Sequence, residues 1–303
     1  MTSLTPSQST SPAKTWLKRL GGLLVALIVI VVGASVLSGY GLNLRNFGRA
    51  ALDLISAALK SSTVKQASTG AYRNVVFLHH SVGNNLIEQG GVRELFTAAG
   101  YQFWDQGYNW QQLRDPNGQP TGYAYTVPDD NTDPDGLARI FSQPAYGLPL
   151  NTLSGLLQHE VILYKSCFPA SAIASDAALQ QSQAAYRQML STIDQHPDKV
   201  FILLTQPPLI PRETNPAAAA RARALADWLL SDEFHQGRAN LFTFDLFGRL
   251  AEGEATASDV NMLRAAYRTD VDSHPTTIAN QQIAPQLVEF VAQAVEQFKA
   301  RRP

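Results

Sequence analysis

Residues 75–85 read Val75-Val76-Phe77-Leu78-His79-His80-Ser81-Val82-Gly83-Asn84-Asn85, an apolar run that breaks into a polar turn ahead of a periodic stretch. Four apolar residues without a polar alternate suit a strand covered on both faces, and the spacing over Leu86–Ala99 suits a helix. The same spelling recurs at Tyr101–Trp104, Val161–Tyr164, Val200–Leu204 and Leu241–Phe244, with further helical stretches at Asp176–Gln195, Pro216–Ser231 and Ile278–Lys299. This alternation predicts an α/β fold. Parallel strands need long crossovers of one hand, so helices cover both faces of the sheet. Ligands of such sheets bind beyond the C-terminal strand ends, which puts any chemistry just after the apolar runs.

The chain has 303 residues, enough for one large domain plus an appendage. Lys and Arg total 24 against 25 Asp and Glu, so nothing in the charge balance favours a nucleic acid partner. A small neutral substrate is easier to accommodate. With Cys167 as its one cysteine, the chain holds no internal disulfide and no cysteine-rich metal cluster.

The N-terminal residues read differently. Lys14, Lys18 and Arg19 precede a charge-free stretch from Leu20 to Leu44, whose apolar heart, Leu20–Leu37, covers roughly 27 Å as a helix, close to a bilayer's hydrocarbon thickness. The expected organisation is a cytoplasmic tail at 1–19, a transmembrane helix or signal anchor at 20–40, a stalk or linker at 41–70, and a folded domain at 71–303. The preceding cations favour an N-terminus in the cytoplasm and a domain outside it, although Arg45 and Arg49 weaken the asymmetry. Gly33, Ala34 and Ser35 also fit a cleaved signal peptide, which would export the domain equally.

Two strand-end segments carry candidate chemistry. Ser81, between a buried strand and a helix start, is set either to act as a nucleophile or to cap the helix, a role Asn84 and Asn85 could also fill. The last polar block, Thr269-Asp270-Val271-Asp272-Ser273-His274-Pro275-Thr276, puts a histidine before the C-terminal helix with carboxylates two and four residues upstream. Those are the ingredients of an oriented general base; the alternative is that Asp272 or Ser273 caps the helix and His274 is a surface residue. Residues 106–149 lack a strong period, and Trp110, Tyr123, Tyr125 and Tyr146 there predict an ordered lid or pocket wall.

In these residues the chain resembles the SGNH/GDSL hydrolase superfamily over roughly residues 74–299. The resemblance implies a three-layer α/β/α sandwich with a mostly parallel, five-stranded, flavodoxin-like sheet. It implies Ser81 as nucleophile, with His79-His80 where the family usually has Gly-Asp, and His274, followed by Pro275, as base. Val271 stands where the family's acid is expected, so Asp272 or Asp270 takes that role. The oxyanion donors implied are the Ser81 amide, Gly107, and either Asn109 or Ser166, because Lys165-Ser166-Cys167-Phe168-Pro169 lacks the family's asparagine. His80, Tyr108 and Trp110 fall where they could contact substrate.

The expected function is thus a membrane-anchored, extracytoplasmic serine esterase acting on O-acyl esters of a small molecule or glycan, O-acetylated carbohydrate included. No cofactor and no metal are expected. Two rivals are an inactive binding or assembly module of the cell envelope on the same fold, and a metal-dependent hydrolase using His79, His80 and His274. Against the latter, adjacent strand residues point to opposite faces. Asp129–Gly136 resembles a calcium loop, but aligned from Asn131 its twelfth residue is Ser142, and Asp133 capping a helix with Pro134 in its first position accounts for the spelling. Cys167 reads as a buried small hydrophobe, and His159, His196 and His235 as helix-end residues without a site role.

Overall fold

The computed structural model describes residues 59, 61, 64–108, 111–125, 127 and 133–301. The chain divides into two units, Met1–Ala57 and Ala58–Pro303, and the described residues all belong to the second. The expected span at 20–40 lies outside them. Among the described residues no helix is long and apolar enough to cross a membrane.

Strands β1 (Asn74–Leu78), β2 (Gln102–Gln106), β3 (Val161–Lys165), β4 (Val200–Leu204) and β5 (Leu241–Phe244) form one parallel sheet in the order β2-β1-β3-β4-β5. The described helices are α1 (Ser81–Glu88), α2 (Val92–Ala98), α3 (Pro134–Phe141), α4 (Thr152–Leu156), α5 (Asp176–Gln195), α6 (Pro216–Leu230), α7 (Asp232–His235), α8 (Leu246–Leu250) and α9 (Thr277–Arg301). Alternate side chains of each central strand enter different cores. Val75, Phe77, Val161, Leu163, Val200 and Ile202 pack with apolar residues of α1, α2, α8 and α9. Val76, Leu78, Ile162, Tyr164, Phe201 and Leu203 pack with α3, α5 and α6 on the other face. The result is the three-layer sandwich that double-faced apolar runs require, with each buried Val, Leu, Ile or Phe contributing roughly 1.5–3 kcal/mol over its exposed state. Strand order reverses at β1, which has β2 on one side and β3 on the other, so the crevice of the fold opens where β1 ends.

Two expected elements are corrected. The helix expected over Leu86–Ala99 is α1 and α2, broken at Gly90-Gly91: Gly91 has a left-handed φ of 73°, and a side chain at Gly90 would collide with the Asn280 carbonyl and Ala284 of α9. The strand expected at Tyr101–Trp104 runs on to Gln106, because the polar side chains of Asp105 and Gln106 are buried with partners. Gln106 donates to the Tyr125 carbonyl at 2.8 Å and accepts from the Tyr125 amide at 2.7 Å. Tyr123 and Tyr125 are consequently core residues at 5% and 2% exposure, not a pocket wall; burial pushes the Tyr123 phenol up to about 12. At α3, Asp133 caps as its spelling predicts, accepting from the Gly136 amide at 2.6 Å with Pro134 in the first turn.

The end of the expected linker is held to the domain. The buried Glu160 carboxylate, just before β3, accepts from Ser68 Oγ at 3.0 Å, the Thr69 amide at 2.8 Å, the Gly70 amide at 2.7 Å and the Arg73 amide at 3.0 Å. Val64 is buried as well. Burial alone would raise the Glu160 carboxyl, but the Ser68 hydroxyl and the amides outweigh it and hold the group below the ordinary 4.5. A carboxyl depressed on folding stabilises fully above its unfolded value and loses that contribution as pH falls through the folded one. Glu160→Gln is therefore expected to cost about 2 kcal/mol at pH 7, roughly 5 °C in Tm, with the deficit shrinking at pH 3. Calorimetry at both pH values checks this, and an equal deficit at each would contradict it.

Candidate active site

The loop after β1 brings Ser81 to the crevice. Backbone pairing continues past the strand, the His79 amide donating to the Gln106 carbonyl at 3.0 Å, so the β1 and β2 loops leave the sheet at the same level. Ser81 is the first residue of α1, and the capping position belongs to His80. The Ser81 hydroxyl lies 2.8 Å from His274 Nε2, across 193 positions of sequence. Asp272 Oδ1 lies 3.0 Å from His274 Nδ1 and also accepts from the His274 amide at 2.9 Å. That amide above all, against partial burial and helped by the His274 ring, holds the Asp272 carboxyl below its ordinary value. A hydroxyl, an imidazole and a carboxylate in line can remove the hydroxyl proton with the ring fixed in one tautomer.

Of the two acids left open by the sequence, the structure brings only Asp272 to the ring. Asp270 is exposed with a left-handed φ of 57° and pairs with Arg268 at 3.1 Å. Asp272 and Ser273 do not cap α9 either, since Thr276 heads it, its carbonyl accepting from the Asn280 amide at 3.1 Å. Ser273 is buried and acts as a clip, accepting from the Ile210 amide at 3.0 Å and donating to Glu213 Oε2 at 2.5 Å. Phe168 sets its ring edge-on to His274, with centroids 5.2 Å apart.

Among the remaining candidates, Gly107 lies just after β2, where a side chain would collide with the Gln111 side-chain amide and crowd His79. Ser166 is turned away, its hydroxyl 2.5 Å from the Tyr186 hydroxyl inside the core, which removes that side chain as an oxyanion donor. Tyr108 stands beside the serine, its hydroxyl accepting from the Ser81 amide at 3.4 Å and its ring 5.0 Å from the buried His80 ring. Asn109 and Trp110 lie outside the described residues. The histidines go to separate partners: His274 to Ser81, His80 against Tyr108, and His79 downward to Asp105. His159 follows the end of α4, as expected, its amide donating to the Leu156 carbonyl at 3.0 Å, but its ring is buried 2.7 Å from Asn74 Oδ1, and burial pushes it down to about 3.

Beneath the serine runs a buried charge network that the sequence did not single out. Both ring nitrogens of His79 face oxygens, Nδ1 the His80 carbonyl and Nε2 the Asp105 carboxylate, each at 3.0 Å. Arg93 of α2 pairs with the second Asp105 oxygen and donates to the Phe103 carbonyl at 2.9 Å and the Asp115 carbonyl at 2.7 Å. Burial would raise the Asp105 carboxyl, yet the hydrogen bond and charge of His79, followed by those of Arg93, win and lower it. Lys165, fully buried at the end of β3, donates to the Ser166 carbonyl at 2.9 Å, and desolvation lowers its pKa. The available signal was a charge closing an apolar run, as in YQFWD and VILYK. Removing one partner of a buried ion pair strands the other, so Arg93→Met is expected to cost about 3 kcal/mol in urea unfolding. A loss under about 0.5 kcal/mol, the size of an exposed-pair effect, would contradict the reading.

No family model matches the chain, and no curated protein matches it. Among solved structures, it is similar to one from Bacteroides fragilis assigned as an acylhydrolase, at 13% identity, covering 78% of this chain and 95% of that one with a TM-score of 0.49. It is also similar to a GDSL-like lipase from Bacteroides thetaiotaomicron, at 13% identity, covering 80% and 97% with a TM-score of 0.48. In its strand-end Ser81 and in His274 followed by Pro275 near the C-terminus, this chain resembles the SGNH/GDSL hydrolases, and it departs from them in the position of its acid.

Proposed function

We propose that this protein is an SGNH-type serine esterase that hydrolyses carboxylic esters through Ser81, His274 and Asp272. The observation carrying the reading is the 2.8 Å approach of the Ser81 hydroxyl to His274 Nε2 at the crevice of a parallel sheet. Ser81 Oγ adds to the ester carbonyl carbon while its proton passes to His274 Nε2, and Asp272 holds the imidazolium that forms. The tetrahedral oxyanion collapses, the C–O bond to the alcohol breaks, and the alcohol leaves with the proton from His274. Water, deprotonated by the same imidazole, then releases the acid and restores Ser81.

O-acylated carbohydrate is the substrate class we favour. Its support is the N-terminal apolar run at 20–37, which in this reading tethers the domain outside the cytoplasm among envelope glycans. The close serine–imidazole pair favours an enzyme over an inert module on the same fold.

Purified full-length protein is expected to hydrolyse p-nitrophenyl acetate and to take a fluorophosphonate label at Ser81. Ser81→Ala should lower kcat by at least 10³-fold, Asp272→Asn by about 10²- to 10⁴-fold, and Asp270→Asn by less than about twofold. Equal turnover by Ser81→Ala and the parent would end the proposal. A larger loss from Asp270→Asn than from Asp272→Asn would reassign the acid.

A further inference from the structure

We infer that Phe168 is a specificity-determining residue whose ring receives the alcohol half of the ester as a stacked sugar ring; this rests on the esterase reading above. The reaction assigns the two sides of the site. Acylation leaves the acyl carbon on Ser81 Oγ. The departing alcohol takes its proton from His274 Nε2, so its oxygen must come within hydrogen-bond reach of that nitrogen, about 2.6–3.2 Å. A side chain packed on the imidazole therefore borders the alcohol rather than the acyl chain. Phe168 is so packed, its ring standing at 88° to the His274 ring with centroids 5.2 Å apart. The His274 side chain is itself 35% exposed, which leaves the alcohol side of the site open. A large alcohol, such as one residue of a glycan chain, can reach the base there while its remainder stays in solvent.

The surrounding chain holds Phe168 in that position. It opens a tight helical turn, Phe168–Ala170, just beyond β3, the strand that neighbours β1 at the crevice. Cys167 before it and Ala170 and Ser171 after it are buried. The Ala170 amide donates to the Cys167 carbonyl at 3.0 Å, and Ser171 Oγ donates to the Pro207 carbonyl after β4 at 2.6 Å. Phe168 itself is only partly buried: it packs against the core shared with α1 and α9 yet keeps some of its surface in solvent. A large apolar side chain kept partly exposed beside the base has surface left to cover. The apolar π face of a phenyl ring matches the C–H face of a pyranose, and a ring anchored before the substrate arrives loses little freedom on binding it.

The test varies the two halves of the ester separately, using full-length parent, Phe168→Ala, Phe168→Tyr and Ser81→Ala. Methyl glucopyranoside monoacetate and ethyl acetate share the acyl group, and p-nitrophenyl acetate and butyrate share the alcohol. The parent is expected to favour the sugar acetate over ethyl acetate in kcat/KM. Phe168→Ala should cut that preference by about tenfold or more, leaving the acetate-to-butyrate ratio within about twofold, and Phe168→Tyr, which keeps the ring, should retain it. A side chain that merely positions His274 would slow every ester alike, and that result overturns the inference. So does a parent without the preference, a preference unchanged in Phe168→Ala, or a shift in the acetate-to-butyrate ratio, which would put Phe168 on the acyl side. If Phe168→Ala fails to fold, Phe168→Leu keeps apolar bulk without the ring and should lose the preference as well; a retained preference overturns the inference. Turnover of p-nitrophenyl acetate that survives Ser81→Ala would defeat the esterase reading itself, whereas loss with Ser81→Ala beside an unaltered preference in Phe168→Ala defeats only the assignment of Phe168.

Discussion

A carboxylate buried under a polar turn is costly unless its charge is met, and at Asp105 it is met from both sides by His79 and Arg93. That shared carboxylate joins three elements: the end of β1 through His79, the end of β2 through Asp105, and α2 through Arg93. Since Ser81 lies two residues beyond His79, and Gly107 and Tyr108 just beyond Asp105, the network sets the separation of the two loops that flank the crevice. Gly83 belongs to the same arrangement, because a side chain there would run into His79.

The histidine side of the site is joined to the serine side by helix packing. At the end of α1, Gln89 Oε1 accepts from Asn280 Nδ2 at 2.8 Å and from Thr277 Oγ1 at 3.2 Å, both at the start of α9. Gly90 allows the close approach that makes these bonds possible. From the other direction Ser273 ties the His274 loop to residues 210–213 after β4, and Arg212 donates to the Asp270 carbonyl at 3.0 Å. Ser81 and His274 meet because each sits on a loop fixed at several points, so the proton transfer the site is read to perform needs little rearrangement.

Structural reinforcement and candidate chemistry occupy opposite sheet edges. Glu160 gathers the amides of residues 69–74 at the N-terminal ends of β1 and β3, while the serine, tyrosine and histidine line the C-terminal ends. Substitution at one edge can therefore alter stability with little effect on the geometry at the other.

Strand runs, helix alternation and the candidacy of Ser81 and His274 were legible in the sequence because apolar periodicity and position at an element's end are local properties. Local spelling also identified the Asp133 cap. It could not choose between Asp270 and Asp272, since that depends on how one loop turns, and it credited Ser166 with a donor role that Tyr186 forecloses from a distant helix. The burial of Tyr123 and Tyr125, the break at Gly90-Gly91 and the Arg93–Asp105–His79 network were likewise decided by tertiary contacts. A charged side chain spells the same whether water or a buried partner satisfies it. What the sequence by itself determined was the layered sheet and the residues at its C-terminal edge; only the tertiary structure decided which of them touch, because hydrogen bonds between loops depend on packing that no local pattern encodes.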